Sequence, residues 1–303
     1  MSAARRSSAN RIFASTVATV AVFTLGLGAC GSSSSGAPQA SGPVNVAYAG
    51  SLQSLFTKTL APAFDKATGA TFSGYPAGST ALASAIKGKT RAEDVFVSAS
   101  PSANGTLMGP ANGDWVSWYA SLATAPLVLG YNPSSRFAAA LKSKPWYQVV
   151  TEPGFLLGRT DPKLDPKGKL STQALDQAAS SKSEPSLGSL ATSTTGVFPE
   201  EALVGRLQSG QLDAGFFYAN EARAASIPSV SLAPVNLSAK YTATVLNRAT
   251  DEKAAEAFVA YLYSPAGKKI LSDAGLTLAA TPKVTGVRSA VPASLRKVLG
   301  TTG

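Results

Sequence analysis

The 303-residue chain contains no histidine and a single cysteine, Cys30. Without histidine, Ser-His-Asp and Cys-His catalytic arrangements and histidine-ligated metal centres are excluded. With one cysteine, no internal disulfide can form. Charge is sparse too, at 15% of residues, and the 27 lysines and arginines form no basic block and no arginine–aromatic interleave, so no nucleic-acid partner is expected. Two motif fragments that point toward enzymes fail on context. Gly88-Lys89-Thr90 ends like a phosphate-binding loop, but Ala83 stands where the first glycine belongs and a helix precedes it instead of a strand. Ser294 and Lys297 have the spacing of penicillin-recognising enzymes without their partner motifs. The chain reads as a non-enzyme, and no cofactor is expected.

What is present starts at the N-terminus. Arg5, Arg6 and Arg11 precede an uncharged stretch, 12–29, that ends in small residues, the pattern of a secretory signal over residues 1–29. Leu27-Gly28-Ala29-Cys30 resembles the bacterial lipobox, which implies a lipid on Cys30 as the mature N-terminus and a place on the outer face of the cell membrane. Residues 30–43 are rich in Gly, Ser and Pro and read as a flexible, lipidated tether. No later segment has the length and apolarity of a membrane span. Without the three signal arginines the formal charge falls from +10 to +7, which favours anionic ligands.

From Val44 onward about 260 residues remain, enough for two lobes with their own cores. Residues 44–49 alternate as a strand, and Leu52, Leu55, Phe56, Leu60 and Phe64 then recur at helical spacing until Gly69. The same grammar repeats with a strand at 71–75, a helix opened by Gly78-Ser79-Thr80, and a buried strand at 94–97. This βα rhythm predicts an α/β fold with parallel pairing. Two extended segments, 118–119 and 125–130, lead into a second lobe with a helix at 136–141, a strand at 154–157, helices at 171–179 and 200–207, and a strand at 214–218. A strand at 241–246 and helices at 252–263 and 266–274 return to the first lobe. The expected division is 44–125 with 236–303 as lobe 1 and 126–235 as lobe 2, in a monomer.

Ser51 and Ser79 each sit where a strand gives way to a helix, where free backbone NH groups and the helix dipole favour an anion. Such serines cap helices or donate to an oxyanion, and the local pattern admits both.

The runs VAYAGSLQSLF, YPAGSTALASAI, EDVFVSASPS, WYASLATAPLVLGYNPSS and GFLLGRTDPKLDPKG, in this order, resemble archaeal-type molybdate/tungstate-binding proteins across nearly the whole mature chain. The resemblance implies the type II periplasmic-binding-protein fold, two α/β lobes joined by two crossover strands with the ligand in the cleft between them. It implies molybdate or tungstate as ligand, the permease of an ABC importer as partner, and oxyanion contacts from Ser51 and Ser79. Asp165 falls where archaeal members use a carboxylate against the metal centre of the oxyanion, and Lys167 where bacterial members offer a backbone NH. Tyr218 matches a hydroxyl donor, and Glu200 a further backbone donor at a helix start. Phe217 stands where archaeal members carry a second carboxylate, a departure that leaves sulfate, phosphate or another small anion as the alternative ligand.

Overall fold

The computed structural model describes residues 42–182 and 184–301. The signal segment, Cys30 and most of the tether lie outside the described residues. Among these, no helix is long and apolar enough to cross a membrane.

The first strand, β1 (Gly42–Ala49), places Val44, Val46 and Tyr48 in the core. Helical turns over 50–68 follow and end in α1 (Ala61–Thr68), stopped by Gly69 at φ 78°, the left-handed conformation that suits glycine. Just before α1 the turn Phe56–Leu60 widens to a π-helix, because Pro62 has no N–H for the carbonyl four residues earlier. Next come β2 (Ala70–Ala77), α2 (Ser79–Lys87), β3 (Val95–Ser98) and the long β4 (Trp118–Tyr131). The middle of the chain supplies β5 (Leu157–Thr160), α3 (Pro166–Lys182), β6 (Val197–Phe198), β7 (Ala214–Tyr218), α4 (Ala219–Ala224) and β8 (Ser229–Ser231). Last are β9 (Ser238–Val245), α5 (Glu252–Tyr263), β10 (Thr277–Leu278) and β11 (Val284–Gly286).

The strands run in the order β2-β1-β3-β9-β4-β7-β5-β6, with β8, β10 and β11 paired to β4. Pairs β1–β2, β1–β3 and β5–β7 are parallel, as the βα rhythm predicts, whereas β9 and β4 are antiparallel to their neighbours. Residues 120–126 of β4 pair with β9, and residues 127–131 pair with β7. An aromatic cluster of Tyr48, Phe56, Phe72, Phe64 and Phe258 fastens the first helical stretch and α5 over β1 and β2.

Three expectations are corrected. The segments 118–119 and 125–130 belong to one continuous 14-residue strand. The strand expected at 154–157 begins only at Leu157, because Gly154 turns the chain at φ 78°. The helix expected at 171–179 starts five residues earlier, with Pro166 in its first turn, where the absent N–H costs nothing.

Candidate functional site

The two Gly-Ser turns come first. Ser51 lies in the 3-10 turn Gly50–Leu52 directly after β1 and is buried. It does not cap the helix as expected from its position; its Oγ lies 2.9 Å from the Tyr241 hydroxyl on β9. Ser79 opens α2 and is fully buried, with Gly78 in the N-cap position. Its Oγ accepts from the Ala99 backbone NH at 3.0 Å. A hydroxyl that already accepts keeps its own proton free to donate.

Asp165 sits at the entrance to α3. It is buried, and its Oδ2 accepts from the Thr160 hydroxyl at 2.7 Å, so it is no exposed turn residue. Burial holds its pKa up, against the pull of the Lys167 charge and the Thr160 hydrogen bond, with Glu221 adding to the rise. Lys167, two residues on, has no exposed surface at all. Its ammonium donates to both oxygens of Glu221 at 2.8 Å and to Glu200 Oε1 at 3.1 Å. Burial disfavours that charge, but Glu221, Glu200 and Asp165 outweigh it, and Lys167 stays protonated.

Glu200 is buried from the other side as well. A Cβ on Gly50 would come within 1.4 Å of Glu200 Oε2, so any larger residue there would push this carboxylate from its position. Gly78 repeats the arrangement: a Cβ there would meet the Leu164 carbonyl at 2.6 Å and Asp165 Cβ at 2.9 Å. Each Gly-Ser turn therefore receives a carboxylate-bearing residue from the 126–235 segment. Two further bonds join the same surfaces, Ala81 N–H to the Leu164 carbonyl at 2.9 Å and Asn220 Nδ2 to the Ser51 carbonyl at 3.2 Å.

Tyr218 ends β7, and its hydroxyl is buried without a hydrogen-bond partner among the described residues. Glu200 Oε2 and the Tyr48 hydroxyl share that condition. Buried polar atoms without partners are rare and call for an explanation such as a bound water, ion or ligand; Glu93 Oε2, Asn104 Oδ1 and Arg206 Nε, outside this set, are in the same condition. Phe217 packs with Leu203, Leu207, Leu212, Ala222 and Ile227, and its ring fills space left by Gly130 and Gly215. The Lys167 ammonium lies 5.5 Å from the Phe217 ring centre and 5.8 Å from that of Tyr218.

Sequence reasoning missed Glu221, Tyr241, Asn220 and Tyr48. Glu221 had a signal, being one helical turn beyond Tyr218, with its Oε2 accepting from the Tyr218 backbone NH at 3.3 Å. A groove of about 510 Å³ reaches Ser51, Glu200 and Glu221 from solvent. Another cavity, about 420 Å³ on the flank of β4 and β9 beside Lys240 and Lys283, is lined by Tyr241 but by none of the buried acids. Among the described residues, no group of three or more Cys, Asp or Glu side chains is arranged to hold a metal ion.

The buried hydroxyls of Ser51, Ser79 and Tyr218, the Lys167 ammonium and the unpartnered Glu200 Oε2 form a set suited to holding a small polar ligand. The sequence profile of the bacterial extracellular solute-binding proteins matches residues 44–277, and the chain belongs to that family. It is 30% identical over 197 residues to a putative ABC transporter molybdenum-binding protein of Haloferax volcanii, a match covering 64% of this chain and 61% of that protein. It therefore spans less than two thirds of that relative's length. It is 24% identical over 315 residues to the molybdate/tungstate-binding protein of Pyrococcus abyssi, covering 85% and 90% of the two chains. The periplasmic molybdate-binding protein of Azotobacter vinelandii shares the fold, with a TM-score of 0.56 and 19% identity over 78% of this chain and 99% of that one. The family and these relatives are binding proteins, not enzymes.

Proposed function

We propose that the protein captures molybdate or tungstate outside the cell and hands it to the permease of an ABC importer. The observation that carries this reading is the Tyr218 hydroxyl, buried and unpartnered among the described residues, with its ring 6.1 Å from that of Tyr241, which meets Ser51. An oxyanion stripped of water needs several aimed donors in place of its hydration shell. Ser79 offers a free hydroxyl proton and Tyr218 a second, and Ser51 offers a third when Tyr241 donates to it instead of to Asn220 Oδ1 at 3.4 Å. The molybdenum-binding relatives support the choice of anion.

In this reading Asp165 approaches the molybdenum or tungsten atom itself. Such a contact favours a large Lewis-acidic centre over sulfate, which cannot add a ligand. The lobes meet at residues 125/126 and 235/236, with β4 and β9 as the crossovers, and their closure is the signal the permease reads. Cys30 carries the lipid that holds the protein at the membrane, so Cys30→Ser releases it into the medium. The anion is tested by thermal unfolding. Molybdate and tungstate at about a thousand times Kd stabilise the fold by about 4 kcal/mol, while the same concentration of sulfate or phosphate leaves Tm unmoved. Stabilisation by sulfate or phosphate alone would favour the alternative ligand class.

A further inference from the structure

The site holds more acid than base. Among the described residues, Lys167 is the one ammonium paired with Glu200 and Glu221, Asp165 also acts on it, and all four side chains are buried. The three carboxylates are not equally committed. Glu221 holds the ammonium with both oxygens at 2.8 Å, and Asp165 accepts from Thr160. Glu200 touches Lys167 through Oε1 alone, at 3.1 Å. Its Oε2 is buried against Gly50, at the turn that carries Ser51, and accepts no hydrogen bond among the described residues. A dianion entering this space adds two negative charges to three carboxylates that one ammonium does not balance, and unbalanced buried charge neutralises by taking up protons.

We propose that Glu200 enters the ligand-bound state as a carboxylic acid and donates its Oε2 proton to an oxygen of the bound oxyanion. The inference rests on the reading of this site as a molybdate or tungstate receptor. The proton removes one negative charge and turns an acceptor into a donor, which is what an anion whose oxygens only accept requires. Glu200 is thereby a specificity-determining residue for fully deprotonated oxyanions, and capture by the form whose Glu200 is ionised consumes one proton.

The groups around Glu200 agree with this role. Lys167 on α3, Glu221 on α4 and Asp165 before α3 act on it directly, and Tyr48 on β1, Tyr218 on β7 and Tyr241 on β9 feel its charge. Lys58 and Glu201 line the adjoining groove. Burial, opposed by Lys167 and reinforced by Glu221 and Asp165, pushes Glu200 up to about 8 before any ligand arrives.

The purified protein is titrated calorimetrically with molybdate near pH 8.5 in Tris and in Bicine, whose different ionisation heats count the protons exchanged. The wild type takes up about one proton per oxyanion, and its affinity falls up to roughly tenfold per pH unit above about pH 8. Glu200→Gln takes up none, and its affinity varies less than about threefold over the same range. Binding without proton uptake in the wild type overturns the proposal and leaves the receptor reading intact. Uptake that persists in Glu200→Gln overturns the role of Glu200. Absence of binding by both molybdate and tungstate removes the receptor reading and the proposal with it. If the variant fails to fold, infrared difference spectra of the wild type decide: a protonated-carboxyl band gained on binding supports the proposal, and its absence overturns it.

Discussion

The Lys167 ammonium lies 2.8 Å from both carboxylate oxygens of Glu221, 54 residues further along the chain, and the pair is buried. It ties the first turn of α3 to α4 at the end of β7, and Glu200 joins it from the turn after β6.

Removing the ammonium strands two carboxylates in a dry site. Lys167→Met is expected to lower stability by about 3 to 5 kcal/mol near pH 8, read from urea unfolding. The loss shrinks in acid, where protonation of Glu200 relieves it. A loss that is the same at all pH values would mean that packing, not charge, sets the effect.

Wild-type stability follows pH through Glu200. Its pKa stands near 8 in the folded chain against an ordinary 4.5. The folded state thus binds the extra proton, and the contribution is complete below the ordinary value and lost as pH rises through the folded one. Stability is expected to fall by up to about 1.4 kcal/mol per pH unit across that window. Glu200→Gln removes this slope in the same unfolding series.

Gly78 has an ordinary φ of −58°, so alanine fits its own backbone, and the penalty of a substitution comes from the approach of the Leu164 carbonyl at 2.6 Å and of Asp165 Cβ at 2.9 Å. Gly78→Ala is expected to weaken molybdate binding at least about tenfold, or about 1.4 kcal/mol, with Tm within a few degrees of the wild type. Small-angle scattering with ligand present would show a chain that fails to contract. Unchanged affinity would place this contact outside the closing surface.

The βα rhythm of the first 60 residues of the fold was legible because Val44, Val46 and Tyr48 point inward and Gly69 marks a helix end that no side chain disguises. The long β4 was not. Pro126, paired with Ser238, interrupts the apolar run, and a register shift between Ser121 and Ala123 blurs its alternation. The serines, Asp165, Lys167, Glu200 and Tyr218 were named from the sequence and all lie buried, but Ser51 and Ser79 as caps and Lys167 as a backbone donor understate what their side chains do. A buried lysine looks like any surface lysine in sequence, since its burial depends on carboxylates 33 and 54 residues away. On β7 every residue is buried, so alternation could not reveal that Phe217 joins the cluster around Leu203 while Tyr218 joins the main core.

The two serine hydroxyls act as desolvated donors in this account. Ser51→Ala combined with Ser79→Ala is expected to weaken oxyanion binding by about 2 kcal/mol or more, measured by calorimetry. Unchanged affinity would remove both hydroxyls from the site.

The central claim is the identity of the ligand, and competition calorimetry with molybdate, tungstate, sulfate and phosphate tests it most directly. One-to-one binding of molybdate and tungstate, undisturbed by a large excess of sulfate or phosphate, is the result predicted. Displacement of molybdate by sulfate or phosphate, or no heat from either metal oxyanion, would contradict it.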